Sequence, residues 1–202
     1  MNTGSAKNFP SGFVTVSVVS HEQIDLVNKL LEDLAAISAS ELCVILTHNV
    51  PEPAPIVPQN WKHRLHIVNN RRPAGFGANH NAAFKRCGTP VFCIVNPDVR
   101  LNCDPFPALL APMEGNRVAV VGPQVRNPNG GLEDSARKFP TLRRLIHKAV
   151  AGAPGPDYPL NRGIVEVDWV AGLFQAIRGD EFAAVKGFDE RFFLYYVDVD
   201  IC

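Results

Sequence analysis

Residues 91–95 (Val-Phe-Cys-Ile-Val) are five apolar residues in a row with no polar residue among them. A strand of this kind has both faces covered, as in a parallel sheet packed between helices. The rest of the chain repeats the theme. Residues 14–19 (VTVSVV) read as a buried strand, and Ser20, with Gln23 three residues on, has the spacing of a helix-starting capping box. Ile24, Val27, Leu30, Leu31, Leu34 and Ile37 then recur at helical intervals. A second strand at 42–46 runs into Pro51, Pro53, Pro55 and Pro58, whose fixed φ and missing N–H exclude a regular element and make this stretch a loop. Residues 65–68 and 118–121 read as strands, 165–177 as a longer strand region, 78–86 as a helix, and 180–186 as a helix stopped by Gly187. Strands alternating with helices predict an α/β domain whose central sheet is mostly parallel and flanked by helices.

The chain has 202 residues, 46% of them apolar, which is enough for one continuous core. Its 20 Lys and Arg balance its 20 Asp and Glu, so no global field favours nucleic acid and any charged site is local. Cys43, Cys87, Cys93, Cys103 and Cys202 have no metal-ligand spacing and read as free thiols, buried where they sit in apolar runs, in a reducing compartment. Residues 1–12 form a polar tail with one lysine, unlike a signal or transit peptide. No stretch approaches the ~20 apolar residues of a membrane span, so a cytoplasmic protein is expected. In residues 141–151, Leu142, Leu145, Ile146, Ala149 and Val150 make one helical face and Arg143, Arg144, His147 and Lys148 the other. This basic amphipathic helix is either a surface helix packed on the core or a patch for anionic lipid headgroups or a lipid-pyrophosphate acceptor at the inner membrane surface.

Ligands of open parallel sheets collect beyond the carboxyl ends of the strands. The strand 91–95 ends in Asn96-Pro97-Asp98, which puts a carboxylate at that edge; Mg²⁺ takes one or two such carboxylates together with substrate phosphate oxygens. The same tripeptide is also an ordinary turn. Residues 75–81 (GFGANHN) follow a strand and open a helix, so their backbone N–H groups are placed to face an anion or a sugar. The third glycine of a dinucleotide fingerprint is missing, which argues against hydride transfer. His80 is expected on the surface of the helix's first turn, with no chemistry. Residues 187–200 (GFDERFFLYYVDVD) read as an aromatic wall holding carboxylates at a cleft, or as a helix start where Asp198 and Asp200 meet the macrodipole.

Taken in order, VSVVSH, RRPAGFGANHNAAF, FCIVNPDVRL, DWVAG and GFDERFFLYYVDVDIC resemble the rhamnosyltransferase-like enzymes of glycosyltransferase family 2, over nearly the whole chain from Val14. The resemblance implies the GT-A fold, a Rossmann-like nucleotide-binding half, and one domain over residues 13–202. It implies that Asp98 binds Mg²⁺ or Mn²⁺, with Asn96 at the first position of a DxD-like motif. It places Ser20, Asn49, Gly75, Phe76, Gly77, Asn81, Asn96, Trp169, Gly172 and Asp189 as substrate-binding residues and Asp198 as the catalytic base, with Asp200 the next candidate. The implied partners are a nucleoside-diphosphate sugar of the dTDP-rhamnose or UDP-sugar type and a glycan or lipid-linked glycan acceptor of the cell surface.

Three departures from the family pattern stand out. Thr47-His48-Asn49 replaces an Asp-Asn pair that helps hold the nucleobase; Val197 stands where relatives often have Glu; and relatives continue past the equivalent of Cys202 with an acceptor-side segment, so the domain is expected to be truncated there. The competing readings are a truncated, catalytically inactive nucleotide-sugar-binding module and a nucleotidyltransferase. Against the latter, residues 19–22 (VSHE) lack a glycine- and basic-rich triphosphate loop.

Overall fold

The computed structural model describes residues 14–37, 41–115, 118–133, 135–139, 141, 157–158, 163–194 and 196–202. The expected basic amphipathic helix, beyond Thr141, the polar tail and Tyr195 lie outside the described residues.

The elements are β1 (Val14–Ser20), α1 (Ile24–Ile37), β2 (Leu42–His48), β3 (Arg64–Asn69), α2 (Phe76–Phe84), β4 (Val91–Val95), α3 (Phe106–Leu110), a 3₁₀ turn (Ala111–Met113), β5 (Val120–Val121), β6 (Ala136–Arg137), β7 (Trp169–Val170), β8 (Phe174–Arg178), α4 (Gly179–Ala184) and α5 (Val197–Ile201). The main sheet has the order β3-β2-β1-β4-β8-β5, with β6 and β7 paired separately. The pairs β1–β2, β2–β3 and β1–β4 are parallel, and β8 runs antiparallel to both β4 and β5. The chain steps outward from β1 to β3 and then returns to the other side of β1, so the order reverses between β1 and β4. Such a reversal opens a crevice at the carboxyl ends of the two strands.

Alternation along β1 separates the two faces. Val14, Val16 and Val18 pack with Leu30, Leu31 and Leu34 of α1, while Ile45, Phe92 and Ile94 form a second core with Phe182, Phe188 and Val197. Strands buried on both sides account for the unbroken apolar runs of β2 and β4. The edge strand β3 alternates only weakly and is largely exposed.

Several boundaries differ from the sequence expectation. Ser20 ends β1 and does not cap α1, whose first amides, Leu26 N and Val27 N, donate to Gln23 O. The cap role falls to Glu52 of the proline-rich loop, which accepts from Glu22 N at 3.0 Å, Gln23 N at 3.2 Å and Ser20 Oγ at 2.7 Å. A carboxylate at a helix amino end meets both free amides and the positive end of the macrodipole. The region 165–177 is two strands turned at 171–173, because β7 leaves the main sheet to pair with β6 while β8 returns to pair with β4. Among the described residues no helix is long and apolar enough to cross a membrane.

Candidate active site

The three motifs of the sequence meet around the turn between β7 and β8. Asn96, just past β4, donates its backbone N–H to Leu173 O at 2.8 Å, and Gly172, one residue earlier, donates its N–H to Asp198 Oδ2 at 3.0 Å. Asn96-Pro97-Asp98 and the acidic start of α5 therefore flank one short turn at the carboxyl end of β4. Gly172 is needed there: a Cβ would lie 3.1 Å from Phe76 Cζ, 3.4 Å from Gln175 Nε2 and 3.5 Å from Asp198 Cβ.

Asp98 is exposed, and its carboxylate makes no hydrogen bond or ion pair with the described residues. The Asn96 side chain is half-buried and also without a partner there. Asp198 is half-buried; besides Gly172 N it accepts from its neighbour Val199 N at 3.1 Å. Its setting begins at Tyr196, whose left-handed backbone (φ 67) turns Val197 into the core. Val197 Cγ1 comes within 3.1 Å of where a Cβ on Gly77 would be, so this position is filled by a packed methyl group. A glutamate there would bury a charge between α2 and α5.

Residues 75–81 are packed against the segment that follows Gly187. Phe76 N donates to Phe193 O at 2.8 Å, and a Cβ on Gly75 would meet that carbonyl at 2.6 Å. A Cβ on Gly77 would meet Phe188 Cβ at 2.8 Å. Asn81, nine-tenths buried, donates to Phe188 O and accepts from Phe188 N, both at 2.9 Å, and donates to Glu190 Oε1 at 3.1 Å. The glycines let the segment 188–197 approach α2, and Asn81 latches it. The first amide of α2, Phe76 N, is thus taken by protein backbone. Phe192, Phe193, Leu194 and Tyr196 are exposed, so among the described residues the expected packed aromatic wall faces outward, while Phe188, earlier in the segment, is buried.

His80 is a core residue, not a surface one. It is 1% exposed, its Nδ1 is 2.8 Å from Ser17 Oγ, and its ring meets Phe76 and Phe188 edge-on. Burial lowers its pKa to about 3, so the ring is neutral.

Asn49 is a hub. Its Oδ1 accepts from Asn70 Nδ2 (2.9 Å), Ala74 N (2.8 Å) and Asn79 Nδ2 (3.1 Å), and its Nδ2 lies 3.0 Å from His21 Nδ1 and 3.1 Å from Ala74 O. Both polar ends are engaged in holding the loop that leads into α2. His48 beside it is buried, with Nε2 unpartnered. Ser20 is committed to Glu52, and that carboxylate occupies the amino end of α1.

Trp169 is buried, with its indole N–H bonded to Lys138 O at 3.2 Å and the Arg137 guanidinium 5.3 Å from its ring centre. Arg191 pairs with Asp189 and holds that carboxyl below the usual range. Asp189 also borders an open hollow of about 470 Å³ lined by Asn81, Lys186, Glu190 and Asp200, a lining that includes neither Asp98 nor Asp198. The Asp98 site is defined by strand topology and hydrogen bonds, not by that hollow.

Of the residues singled out from the sequence, Phe76, Asn96, Gly172 and Asp198 come together, with Asp98 at the rim. Ser20, Asn49, Gly75, Gly77, Asn81, Trp169 and Asp189 have their polar groups or approach surfaces engaged within the chain. Glu52, Asn70, Asn79 and Gln175 were not singled out. A glutamate among four prolines and a glutamine inside the apolar run of β8 were the available signals.

No cluster of three or more His, Cys, Asp or Glu positioned to hold a metal occurs among the described residues. Asp98 and Asn96 nevertheless fit a hard cation of the Mg²⁺ kind, because such ions take few protein oxygens and complete their shell with water and substrate phosphate.

A mostly parallel sheet with an acid at the switch point, and a second acid held across a turn of the antiparallel strand, is the GT-A architecture of glycosyltransferases. The chain belongs to one family within it, Glycosyl transferase family 2, which matches residues 15–161. It is 28% identical over 200 residues to the rhamnosyltransferase WbbL of Escherichia coli (strain K12), covering 94% of this chain and 75% of that protein. It is 35% identical over 118 residues to the N-acetylglucosaminyl-diphospho-decaprenol L-rhamnosyltransferase of Mycobacterium tuberculosis (strain ATCC 25618 / H37Rv), covering 54% of this chain and 38% of that protein. Among solved structures it resembles the mannosyltransferase PcManGT of Pyrobaculum calidifontis in complex with GDP-Man and Mn²⁺, with a TM-score of 0.54 and 13% identity over 88% of this chain. The chain spans about half (47%) of that structure's length.

Proposed function

We propose that this transferase moves a sugar, rhamnose being the first candidate, from a nucleoside-diphosphate donor of the dTDP-rhamnose or UDP-sugar type to a hydroxyl of a lipid-linked cell-surface glycan. The reaction would be a single inverting displacement at the cytoplasmic face of the membrane. The observation that carries the reading is a pair of hydrogen bonds donated by backbone amides, Asn96 N to Leu173 O and Gly172 N to the Asp198 side-chain Oδ2, which link the end of β4 to the acid of α5. The rhamnosyltransferase relatives support the sugar, and the acceptor named for the mycobacterial relative supports a lipid carrier.

In this reading Asp98, with Asn96 beside it, holds Mg²⁺ or Mn²⁺, and the cation when bound neutralises charge on the departing diphosphate. Asp198, oriented by the Gly172 amide, takes the proton of the acceptor hydroxyl as its oxygen attacks the anomeric carbon. The Phe76 ring lies against Gly172 on the α2 side of the site.

The test is Asp98→Asn, with dTDP-rhamnose and UDP-sugars titrated by calorimetry with and without Mn²⁺. Wild type should bind one donor at least tenfold more tightly with Mn²⁺, and the variant should lose that difference while keeping its melting temperature. Equal metal dependence in both proteins would sink the assignment. Metal-dependent binding without transfer to a lipid-linked acceptor would favour the binding-module alternative.

A further inference from the structure

Asp98 sits mid-span in a short loop that is held at both ends. On one side Asn96 N donates to Leu173 O at 2.8 Å, and Val99 N closes a turn onto Asn96 O at 3.2 Å. On the other side a single carboxylate, Asp33 of α1, accepts three hydrogen bonds: from Arg100 Nε and Nη2, both at 2.7 Å, and from Leu101 N at 3.0 Å. The Asp33 side chain is largely buried, at 15% exposed, while that of Arg100 is 50% exposed. Asp98 lies between these tethers, exposed and two residues from each.

The second tether has a rigid base. Leu30, Leu31 and Leu34 of α1 are buried in the core with β1, so Asp33 has a fixed place relative to the sheet. Val99 and Leu101 pack on that same core and leave Asp98 and Arg100 outside it. A half-exposed ion pair adds little to stability. A bidentate guanidinium–carboxylate pair does fix direction, and here a backbone N–H joins it. What the clamp supplies is therefore the course of the chain just past Asp98.

We infer that Asp33 is a positioning residue for Asp98: by clamping Arg100 and Leu101 onto α1 it orders the loop past β4 and presents the Asp98 carboxylate to a divalent cation. A ligand group that has to be ordered when the cation arrives binds it more weakly than one already in place. The inference rests on the reading of Asp98 as the cation ligand in so far as it concerns metal affinity, but the loop order it claims is readable without metal. Charge and position also have opposite signs at Arg100. Removing its positive charge would by Coulomb attraction alone tighten a cation at Asp98, whereas loosening the clamp weakens it.

The experiment compares wild type with Asp33→Ala, which removes all three bonds, and Arg100→Gln, which removes the bidentate pair and a positive charge. Loop order is read on ¹⁵N-labelled, metal-free protein as the heteronuclear NOE at Asp98, with Val16 and Ile45 as core references. Cation affinity is read by titrating Mn²⁺ into protein with dTDP or UDP present, and binding of the same nucleotides is measured without metal. In Asp33→Ala the Asp98 NOE should fall with Val16 and Ile45 unchanged, and the Mn²⁺ concentration at half-saturation should rise about tenfold, the usual scale for removing support from a metal ligand. Arg100→Gln should raise it less, about threefold, because Leu101 N keeps its acceptor. An unchanged Asp98 NOE in Asp33→Ala, or Mn²⁺ half-saturation within about twofold of wild type, overturns the inference. So does tighter Mn²⁺ binding in Arg100→Gln, which marks a purely electrostatic effect, and so does an equal loss of metal-free nucleotide binding, which marks a disturbed fold. Should Asp98→Asn keep the wild-type Mn²⁺ dependence, the cation reading fails, and the Asp98 NOE in Asp33→Ala still decides whether Asp33 holds the loop.

Discussion

Two corners at the carboxyl edge of the sheet are built from the same kinds of residue and behave differently. At the ends of β2 and β3, Asn49, Asn70 and Asn79 bond to one another and to the backbone of Ala74. Beyond β4, Asp98 bonds to nothing among the described residues and Asp198 accepts only backbone amides. The first corner is a scaffold whose hydrogen-bonding capacity is consumed internally. The second keeps acceptor capacity for a ligand. The difference teaches that a polar residue at a strand end is not thereby a binding residue; what separates the two corners is how many of its lone pairs and protons the fold has already engaged.

The largest expected effect falls on the open corner. Asp198→Asn preserves the size of the side chain and an acceptor for Gly172 N but removes the proton acceptor. Loss of a general base costs about 10²–10⁴-fold in rate. Single-turnover transfer should therefore fall by about 10³ while donor affinity and melting temperature stay put. If turnover survives, the open corner contains a different base, and Asp200, exposed on the same short helix, is the residue to change next.

The complementary substitution is Asn49→Ala in the closed corner. It leaves Ala74 N without its acceptor and removes one acceptor each from Asn70 Nδ2 and Asn79 Nδ2. Each unsatisfied buried group costs about 1–3 kcal/mol, so a loss of about 3 kcal/mol is expected, read as a drop of roughly 6–12 °C in melting temperature. Donor binding to the folded fraction should change little. The opposite pattern, an unchanged melting temperature with lost donor affinity, would make Asn49 a ligand residue and erase the contrast between the corners.

How much of this was legible in the sequence divides along the same line. The unbroken apolar runs located β1, β2 and β4, and Asn96-Pro97-Asp98 was placed correctly past a strand end because strand and turn signals are local. Residues 75–81 were read as facing an anion, since glycines before a helix permit that. The contacts that constrain Gly75 and Gly77, the Phe193 carbonyl and Phe188 Cβ, arrive from the far end of the chain, and no local pattern encodes them. Ser20 was read as a cap for the same reason: the carboxylate that displaced it comes from Glu52 in a loop that looked structureless. His80 looked like a surface residue because α2 has no clear apolar stripe; its nine residues are packed by β1 on one side and by the segment 188–197 on the other.

That histidine gives the smallest effect and the one that probes the boundary between the corners. In the fold its pKa is lowered to about 3 by burial, against an ordinary value near 6.5, so between these limits the unfolded chain binds a proton that the native chain does not. Stability from this source is complete above pH 6.5 and declines as pH falls, by about 1.4 kcal/mol per pH unit, or about 2 kcal/mol between pH 6.5 and pH 5. His63 acts in the same direction: it is buried, its pKa is lowered chiefly by desolvation, and in its neutral form it accepts from Leu42 N and donates to Leu34 O. Urea midpoints measured from pH 7.5 to pH 5 should fall steeply in wild type and less steeply in His80→Gln, whose amide can still meet Ser17 but does not titrate. Equal slopes would mean that His80 takes up its proton without leaving the core. The Ser17–His80 contact would then be loose enough to admit water, and the α2 face would belong with the open corner.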